Sequence, residues 1–392
     1  MIIRVPSCRR LLLFTLLVAM LLVRTGQGEE VVTLKVYVDA LPMPGSARAE
    51  NVAKQQIIQR FEELHPNIRI TSSQGLRIEG KGDEIIPLMQ IAADISPDVI
   101  YVMFKNSDSY IQQRFLMPLD RFIEQMPKEE LDERVPPPAW QVIKRPGPDG
   151  KTHVWAMPYS TEVMALTFQR DAMRDAGLDP DTGPRDWKEL EEFCRKIHAA
   201  TPKKYGIAFD RTTDESWKFM SFLWSAGGEA MKEMAPSEWR AAYDSPEAVE
   251  AFYFYYRLVK EGLAYRGTDT TDPSMRDRFV MQFSYLNDKI TYRDPVQYGV
   301  CPVPLGPTGL RGSEVNCAMM GIFAGVKDPR VADAAWEFIR FYDGPEARKI
   351  RTRVYVENGS ARQVNPDFLR RFGFEEYLGD VPKAWEIGRA HV

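Results

Sequence analysis

From residue 32 onward the chain alternates strand-patterned and helix-patterned runs. "VTLKVYVDA" (32–40) alternates apolar and polar positions and is rich in β-branched residues, which predicts a strand. Residues 47–64 then carry Ala53, Ile57, Phe61 and Leu64 at helical spacing, closed by His65 and Pro66. "IRITSS" resumes strand character, "IIPLMQIAADI" reads as a helix, and "SPDVIYVM" is a turn feeding an apolar strand of the kind buried on both faces of a sheet. The rhythm continues in the second half. "VMALTFQ" is a strand, "RDAMRDAGL" a short helix stopped by Gly177, "GPRDWKELEEFCRKIHAA" a helix starting near Asp186, and "YGIAFD" a strand. "DSPEAVEAFYFYYRLVKEGL" has Asp244 or Ser245 as cap, Pro246 in its first turn and Gly262 as its stop, with Val249, Phe252, Tyr256 and Val259 as its apolar positions. "YGVCPVPLGPTG" is a strand entering a loop, and "MMGIFAGV" and "VADAAWEFIRFYDG" restore the strand and helix rhythm. Such alternation predicts an α/β fold whose ligand crevice lies at the carboxyl ends of its strands.

One stretch breaks the pattern. In "VWAMPYSTEVMALTFQRDAM" (154–173) five polar-looking residues, Pro158 to Glu162, stand between apolar runs with no glycine to turn the chain.

At 392 residues and 44% hydrophobic, the chain is too long for one core, so two domains are expected. Arg4, Arg9 and Arg10 precede the apolar run Leu11 to Val23 and the small-residue stretch "RTGQGEE". That order is the order of a secretory signal peptide over residues 1–28 with cleavage after Gly28, an uncleaved anchor being the alternative. Removing this segment takes four arginines and no acid, which deepens the formal net charge from −4 to −8. An acidic exported domain is unsuited to nucleic acid or anionic lipid. Cys194, Cys301 and Cys317 lack the close spacing of a metal or redox motif; a Cys301 to Cys317 disulfide and three buried thiols both fit the sequence. Back-translated, the closing "EIGRAHV" resembles a sequencing adapter, so residues 386–392 are expected to be read-through, with the natural chain continuing past Trp385.

Taken in order, "FEELHPNIRI", "SPDVIYV", "RFLMPLD", "VWAMPYSTEVMALTFQRDAMRDAGL", "WKELEEF", "FLWSAGGEAM", "SPEAVEAF", "YGVCPVPLGPTG" and "AAWEFIRFYDGPEAR" resemble the landmarks of the extracellular solute-binding proteins of ABC importers, in their sugar-binding, maltose-binding-protein-like branch. The resemblance implies a two-lobe periplasmic binding protein fold of type II, each lobe a mostly parallel sheet flanked by helices, with three hinge crossings. Residues 29–158 plus 314–357 would form one lobe, and 163–304 plus 362–385 the other. "PYSTE" would be the first crossing, the second would lie between Leu305 and Glu314, and the third near "NGSARQVNP". It also implies an exported monomer, periplasmic or at the extracellular face of the cytoplasmic membrane, with a carbohydrate ligand, permease subunits as partners, and no cofactor or metal.

A sugar offers hydroxyls and an apolar C–H face, so carboxylates, amides and aromatic rings should converge on it. The polar loop ends supply Asp39, Asn106, Asp108, Tyr159, Glu162, Tyr285, Asn287, Asp288, Glu314 and Asn316 as candidates. Trp217 and Trp224, seven apart on one helical face, are the candidates for stacking, while Trp187 and Trp336 sit on helix patterns that point to core packing. The family's pattern often carries Gly-x-Trp where this chain reads "SYLND", so Tyr285 stands for that stacking residue. No His-Glu-x-x-His, Gly-x-Ser-x-Gly, Gly-x-Gly-x-x-Gly or phosphate-cradling lysine loop occurs, and the reading is of a protein that is not an enzyme. The remaining alternatives are a receptor fused to or anchored beside a permease, a binder of a non-sugar solute, and a glycoside hydrolase using two distant carboxylates.

Overall fold

The computed structural model describes residues 30–73, 86–93, 95–211, 215–235, 238–268, 277–291 and 293–380. The expected signal segment (1–28) and the expected read-through (386–392) lie outside the described residues.

Strand β1 (Val32–Val36) stops before the predicted end, because Val38–Ala40 closes into a 3-10 turn. Helix α1 (Ala49–Leu64) buries Ala53, Ile57 and Phe61, the face its spacing predicts, and His65 ends it ahead of Pro66. Then follow β2 (Ile68–Ser72), α2 (Ile86–Ala92), β3 (Val99–Met103) and α3 (Phe104–Gln112), which springs directly from β3. Short helices α4 (Asp120–Ile123), α5 (Lys128–Arg134) and α6 (Trp140–Ile143) and the hairpin β4 (Lys144–Pro146) and β5 (Thr152–Val154) lead into β6 (Met157–Gln169). "PYSTE" is therefore the first half of a 13-residue strand instead of a loop. No glycine is needed because the chain does not turn there.

The second half runs through α7 (Arg170–Asp175), α8 (Trp187–Ala200), β7 (Tyr205–Asp210), α9 (Glu215–Ser225), the hairpin β8 (Met231–Ala235) and β9 (Glu238–Ala241), and α10 (Pro246–Lys260). Asp186 caps α8 by accepting from the Glu189 N–H at 2.9 Å, and Ser245 caps α10 by accepting from the Ala248 N–H at 3.2 Å. The buried face of α10 is Ala248, Ala251, Phe254 and Leu258. The predicted core positions Val249, Phe252 and Tyr256 face solvent, because this helix carries two apolar stripes and the sequence period alone does not say which one packs. Strands β10 (Ala264–Gly267), β11 (Phe279–Asn287), β12 (Tyr298–Pro302) and β13 (Val315–Ile322) and helices α11 (Pro329–Tyr342), α12 (Pro345–Glu357) and α13 (Pro366–Phe372) complete the order.

Among the described residues nine strands form one mixed sheet in the order β10-β7-β11-β6-β13-β3-β1-β2, with β12 also on β6. Its flanks are parallel, whereas β6 is antiparallel to β11, β12 and β13. One edge of β6 is shared. Residues 157–163 pair with β13 and residues 165–169 with β12, and the Met164 N–H at the handover donates to the Glu314 carbonyl at 2.9 Å. The buried apolar side chains divide at the same place. One core combines residues from Leu34 to Met157 with residues from Cys317 to Val354, a second runs from Met164 to Val303, and a small third joins Ala165, Leu286 and Val300 to Tyr355, Val364 and Leu369. Cys194, Cys301 and Cys317 are free thiols.

Candidate functional site

Where the two cores meet, β6 carries polar side chains across the sheet. Register places Asn287 of β11 and Asn316 of β13 on either side of Glu162, and Tyr285 beside Met164. Directly opposed residues share a sheet face, so Ser160, Glu162, Tyr285, Asn287 and Asn316 lie on one face. The Asn287 Nδ2 donates to Ser160 Oγ at 2.7 Å and to Glu162 Oε1 at 3.3 Å, while its Oδ1 accepts from the backbone N–H groups of Lys289 and Ile290. With all its hydrogen-bonding capacity engaged, Asn287 orients Glu162. Tyr285 OH reaches over Met164 and donates to Glu314 Oε2 at 2.9 Å. The other oxygen, Glu314 Oε1, is buried and has no partner among the described residues.

Both carboxyls are held above the usual range. Burial is the main cause for each, partly relieved at Glu162 by Asn287 and at Glu314 by Tyr285, and the charge of Glu162 adds to the rise at Glu314. An unpaired buried acceptor costs about 1–3 kcal/mol. A donor arriving from solution would recover it.

The remaining candidates are spread around this centre. Tyr159 sits with Tyr37, Tyr101 and Tyr342 at the end of β1 and β3; its ring meets Tyr342 edge-on at 5.6 Å, and Tyr37 and Tyr101 lie 5.7 Å apart. Exposed Asp39 borders this group, its backbone carbonyl accepting from Lys54 Nζ at 2.9 Å. Asn106 bonds to Tyr110, and exposed Asp108 faces Arg145 at 3.5 Å. Trp217 of α9 meets Phe104 of α3 edge-on at 5.5 Å, a contact from one lobe to the other. Trp224 is half-buried against the second core, where the loop after β12 lies on α9: a Cβ on Gly306 would come within 1.9 Å of the Ser225 carbonyl oxygen, so only glycine fits there. Trp187 and Trp336 are buried.

Asp288 ties the end of β11 to β6. Its Oδ1 accepts from the Thr161 N–H at 3.1 Å and its Oδ2 from Lys289 Nζ at 2.8 Å. The pairing of β6 with β13 slips between Ala318 and Met319, leaving Tyr159 as the extra residue of a bulge. Its carbonyl accepts from Lys289 Nζ at 2.8 Å, and the carbonyl of Pro158 from Arg134 Nε at 2.9 Å. Asp343 lies at the centre of these cations, 3.4 Å from Lys289 and 3.0 Å from Arg348. Burial works to raise the Asp343 carboxyl, but Lys289, Arg348 and Arg351 outweigh it and hold it below the usual range. Burial pulls the Arg134 guanidinium down to about 10. Behind this network a cavity of about 270 Å³ is lined by Glu130, Glu133, Arg134, Asp343 and Arg348. Its charges largely answer one another, and Glu130 is bidentate to Arg340. Sequence reasoning missed Arg134, Lys289 and Asp343, since a charged residue gives no local sign that it will be buried.

The family model of the bacterial extracellular solute-binding proteins matches residues 45–349. A chain of Brucella abortus (strain 2308), described as a binding protein, is 25% identical over 305 residues, which is 73% of this chain and 67% of that one. Among solved structures, maltose-bound MalE3 of T. maritima superposes with a TM-score of 0.64 at 20% identity, covering 88% of each chain. UgpB of Mycobacterium tuberculosis in complex with glycerophosphocholine gives 0.65 at 18%, covering 91% of this chain and 87% of its own.

Proposed function

This chain belongs to the bacterial extracellular solute-binding protein family, and from that premise we propose that it captures a sugar or oligosaccharide on the Glu162, Tyr285 and Glu314 face between its lobes and hands it to the permease of an ABC importer. The observation that carries the ligand class is the buried Glu314 carboxyl with one oxygen unpaired, next to the half-buried carboxyl of Glu162. Sugar hydroxyls donate to such groups, and hydrogen bonds to a carboxylate are the strong ones. A phosphate set against the same two carboxyls would meet like charge, which separates this reading from a glycerophosphodiester. Tyr159 and Trp217 offer ring faces at the edges of the site, and Trp224, Asn106, Asp39 and Asn316 extend it for a longer ligand.

Capture makes and breaks no bond. A ligand held by groups on both lobes favours the closed arrangement by the contacts that only closure completes. The lobes are assigned as 29–158 plus 314–357 and 163–304 plus 362–385, and each copy binds on its own.

The test is a melting screen of the purified protein with mono- and oligosaccharides, with glycerophosphocholine, amino acids and polyols alongside. At a hundredfold excess over Kd a ligand adds about 2.7 kcal/mol of stability, a readily visible shift. A saccharide should raise the melt, and Glu314→Gln and Glu162→Gln should each weaken it by roughly ten- to a hundredfold, the worth of a hydrogen bond to a charged group. Recovery of the oligosaccharide intact is expected. A shift from glycerophosphocholine alone overturns the sugar reading, and cleaved product overturns capture.

A further inference from the structure

Glu162 and Glu314 are closer than their places in the chain suggest. Register sets Asn316 opposite Glu162, and the Met164 N–H meets the Glu314 carbonyl, so Glu314 is the diagonal neighbour of Glu162 on the same face. Diagonal neighbours stand about 7–8 Å apart, within reach of long side chains. The two carboxyls sense each other, since the charge of Glu162 contributes to the rise at Glu314. Glu314 is 6% exposed, with Tyr285 on one oxygen and nothing on the other. At Glu162 the Asn287 amide reaches Oε1, and Oε2 has no partner among the described residues. No lysine or arginine among the described residues pairs with either acid. Lys289 eases Glu162 from a distance, but its ammonium is spent on the Tyr159 carbonyl at 2.8 Å, Asp288 at 2.8 Å and Asp343 at 3.4 Å. Lys105 stands over the Trp217 ring at 6.0 Å, and Arg145 faces Asp108.

Two acids that share a face without a cation of the protein select for charge in what they bind. A hydroxyl can answer the free Glu314 oxygen, but it brings one hydrogen and leaves the two carboxyls repelling each other. A protonated amine brings several N–H donors and a positive charge. With N–O distances of about 2.8 Å on either side, one nitrogen bridges oxygens up to about 5.6 Å apart. The repulsion then becomes two attractions, and away from bulk water these are stronger than at an open surface. A metal ion is a poorer match. Calcium takes about six to eight oxygens, and among the described residues no three metal-ligating side chains gather in one place. Resting on the reading of this face as the capture site, we propose that the solute it takes carries a protonated amine, an amino sugar in place of a neutral one, with its ammonium set between Glu162 and Glu314. The Asn316 amide and the Tyr285 hydroxyl, which still has an acceptor to offer, are left for the hydroxyls of the ring.

Isothermal titration of the purified protein with matched sugars tests this. Glucosamine is set against glucose, and the chitosan disaccharide against cellobiose, with N-acetylglucosamine as the amine whose charge has been removed. Each amine should bind about tenfold tighter or more than its hydroxyl and acetylated counterparts, the worth of a hydrogen bond to a charged group. Glu162→Gln and Glu314→Gln should each erase most of that preference. Glutamine at 314 keeps an acceptor for Tyr285, and half-buried Glu162 carries the test by itself if the Glu314 variant melts early. Equal binding of amine and neutral sugar overturns the ammonium assignment and leaves sugar capture standing. A response to putrescine alone, with every sugar silent, overturns sugar capture and leaves the ammonium assignment standing. A preference unchanged in both variants overturns the assignment, as does calcium chloride displacing glucosamine. So does silence from every amine.

Discussion

A buried carboxyl away from the candidate site shows most directly what burial does to a single residue. Glu215 opens α9 with one oxygen accepting from the Asp210 N–H at 2.6 Å and the other without a partner among the described residues. Burial raises it from 4.5 to about 7, against the opposing charge of Lys218. Below the lower value the group is protonated whether the chain is folded or not, so the fold gains nothing and loses nothing. As pH rises from about 4.5 to about 7, the unfolded chain ionises first and stability falls, by roughly 3 kcal/mol. Glu215→Gln should flatten the curve across that range, with wild type and variant diverging toward the alkaline side in urea titrations. Parallel curves would mean that Glu215 ionises normally in the fold. The same logic governs Glu162 and Glu314: groups kept from full solvation are ready to accept a ligand's donors.

At the scale of the element, β6 is the piece that joins the halves. A bulge at Tyr159 frees two carbonyls from the ladder, and Arg134 and Lys289, the latter ion-paired with Asp343, take them up. Lys289→Met would leave the Tyr159 carbonyl and part of the Asp343 charge unanswered. Removing one partner from a buried network of this kind typically costs about 3–5 kcal/mol. The expected result is a large loss in urea stability with little change in the far-ultraviolet spectrum; a change under about 1 kcal/mol would show that water reaches the bulge. Much of this element was legible beforehand: "PYSTE" was marked by its polarity between apolar runs. Its being a strand was not, because the pairing that makes it one comes from β11 and β13, more than a hundred residues away. The α10 faces show the same limit from the other side, since both stripes satisfy a helical period and only the neighbouring helices and sheet choose between them. Caps and stops were local and so were readable, as Asp186, Ser245 and Gly262 illustrate. In the candidate site, the carboxylates and amides could be picked out as polar loop or strand ends. That Asn287 serves Glu162, and Asp288 the Thr161 backbone and Lys289, depended on contacts that no spacing reveals.

For the whole molecule, the contact of Trp217 with Phe104 makes one indole a reporter of how the lobes sit. Ligand should contract the particle in small-angle scattering and change tryptophan emission, and Trp217→Phe should abolish most of the emission change while keeping the contraction. Emission that still responds in the variant would assign the signal to Trp224 instead. The interleaved order of the two cores has a further consequence, which concerns time. The first core takes Leu34 to Met157 from early in the chain but is closed only by β13, α11 and α12, which end at Glu357. A ribosome therefore releases the second core's residues before the first can be finished. The earliest-made lobe is the last to become stable, and until residues 315–322 have been made it has an open sheet edge at β3 where β13 will pair. A growing chain with that schedule stays loose while it is being made, which suits a polypeptide that has to be threaded across a membrane before it folds.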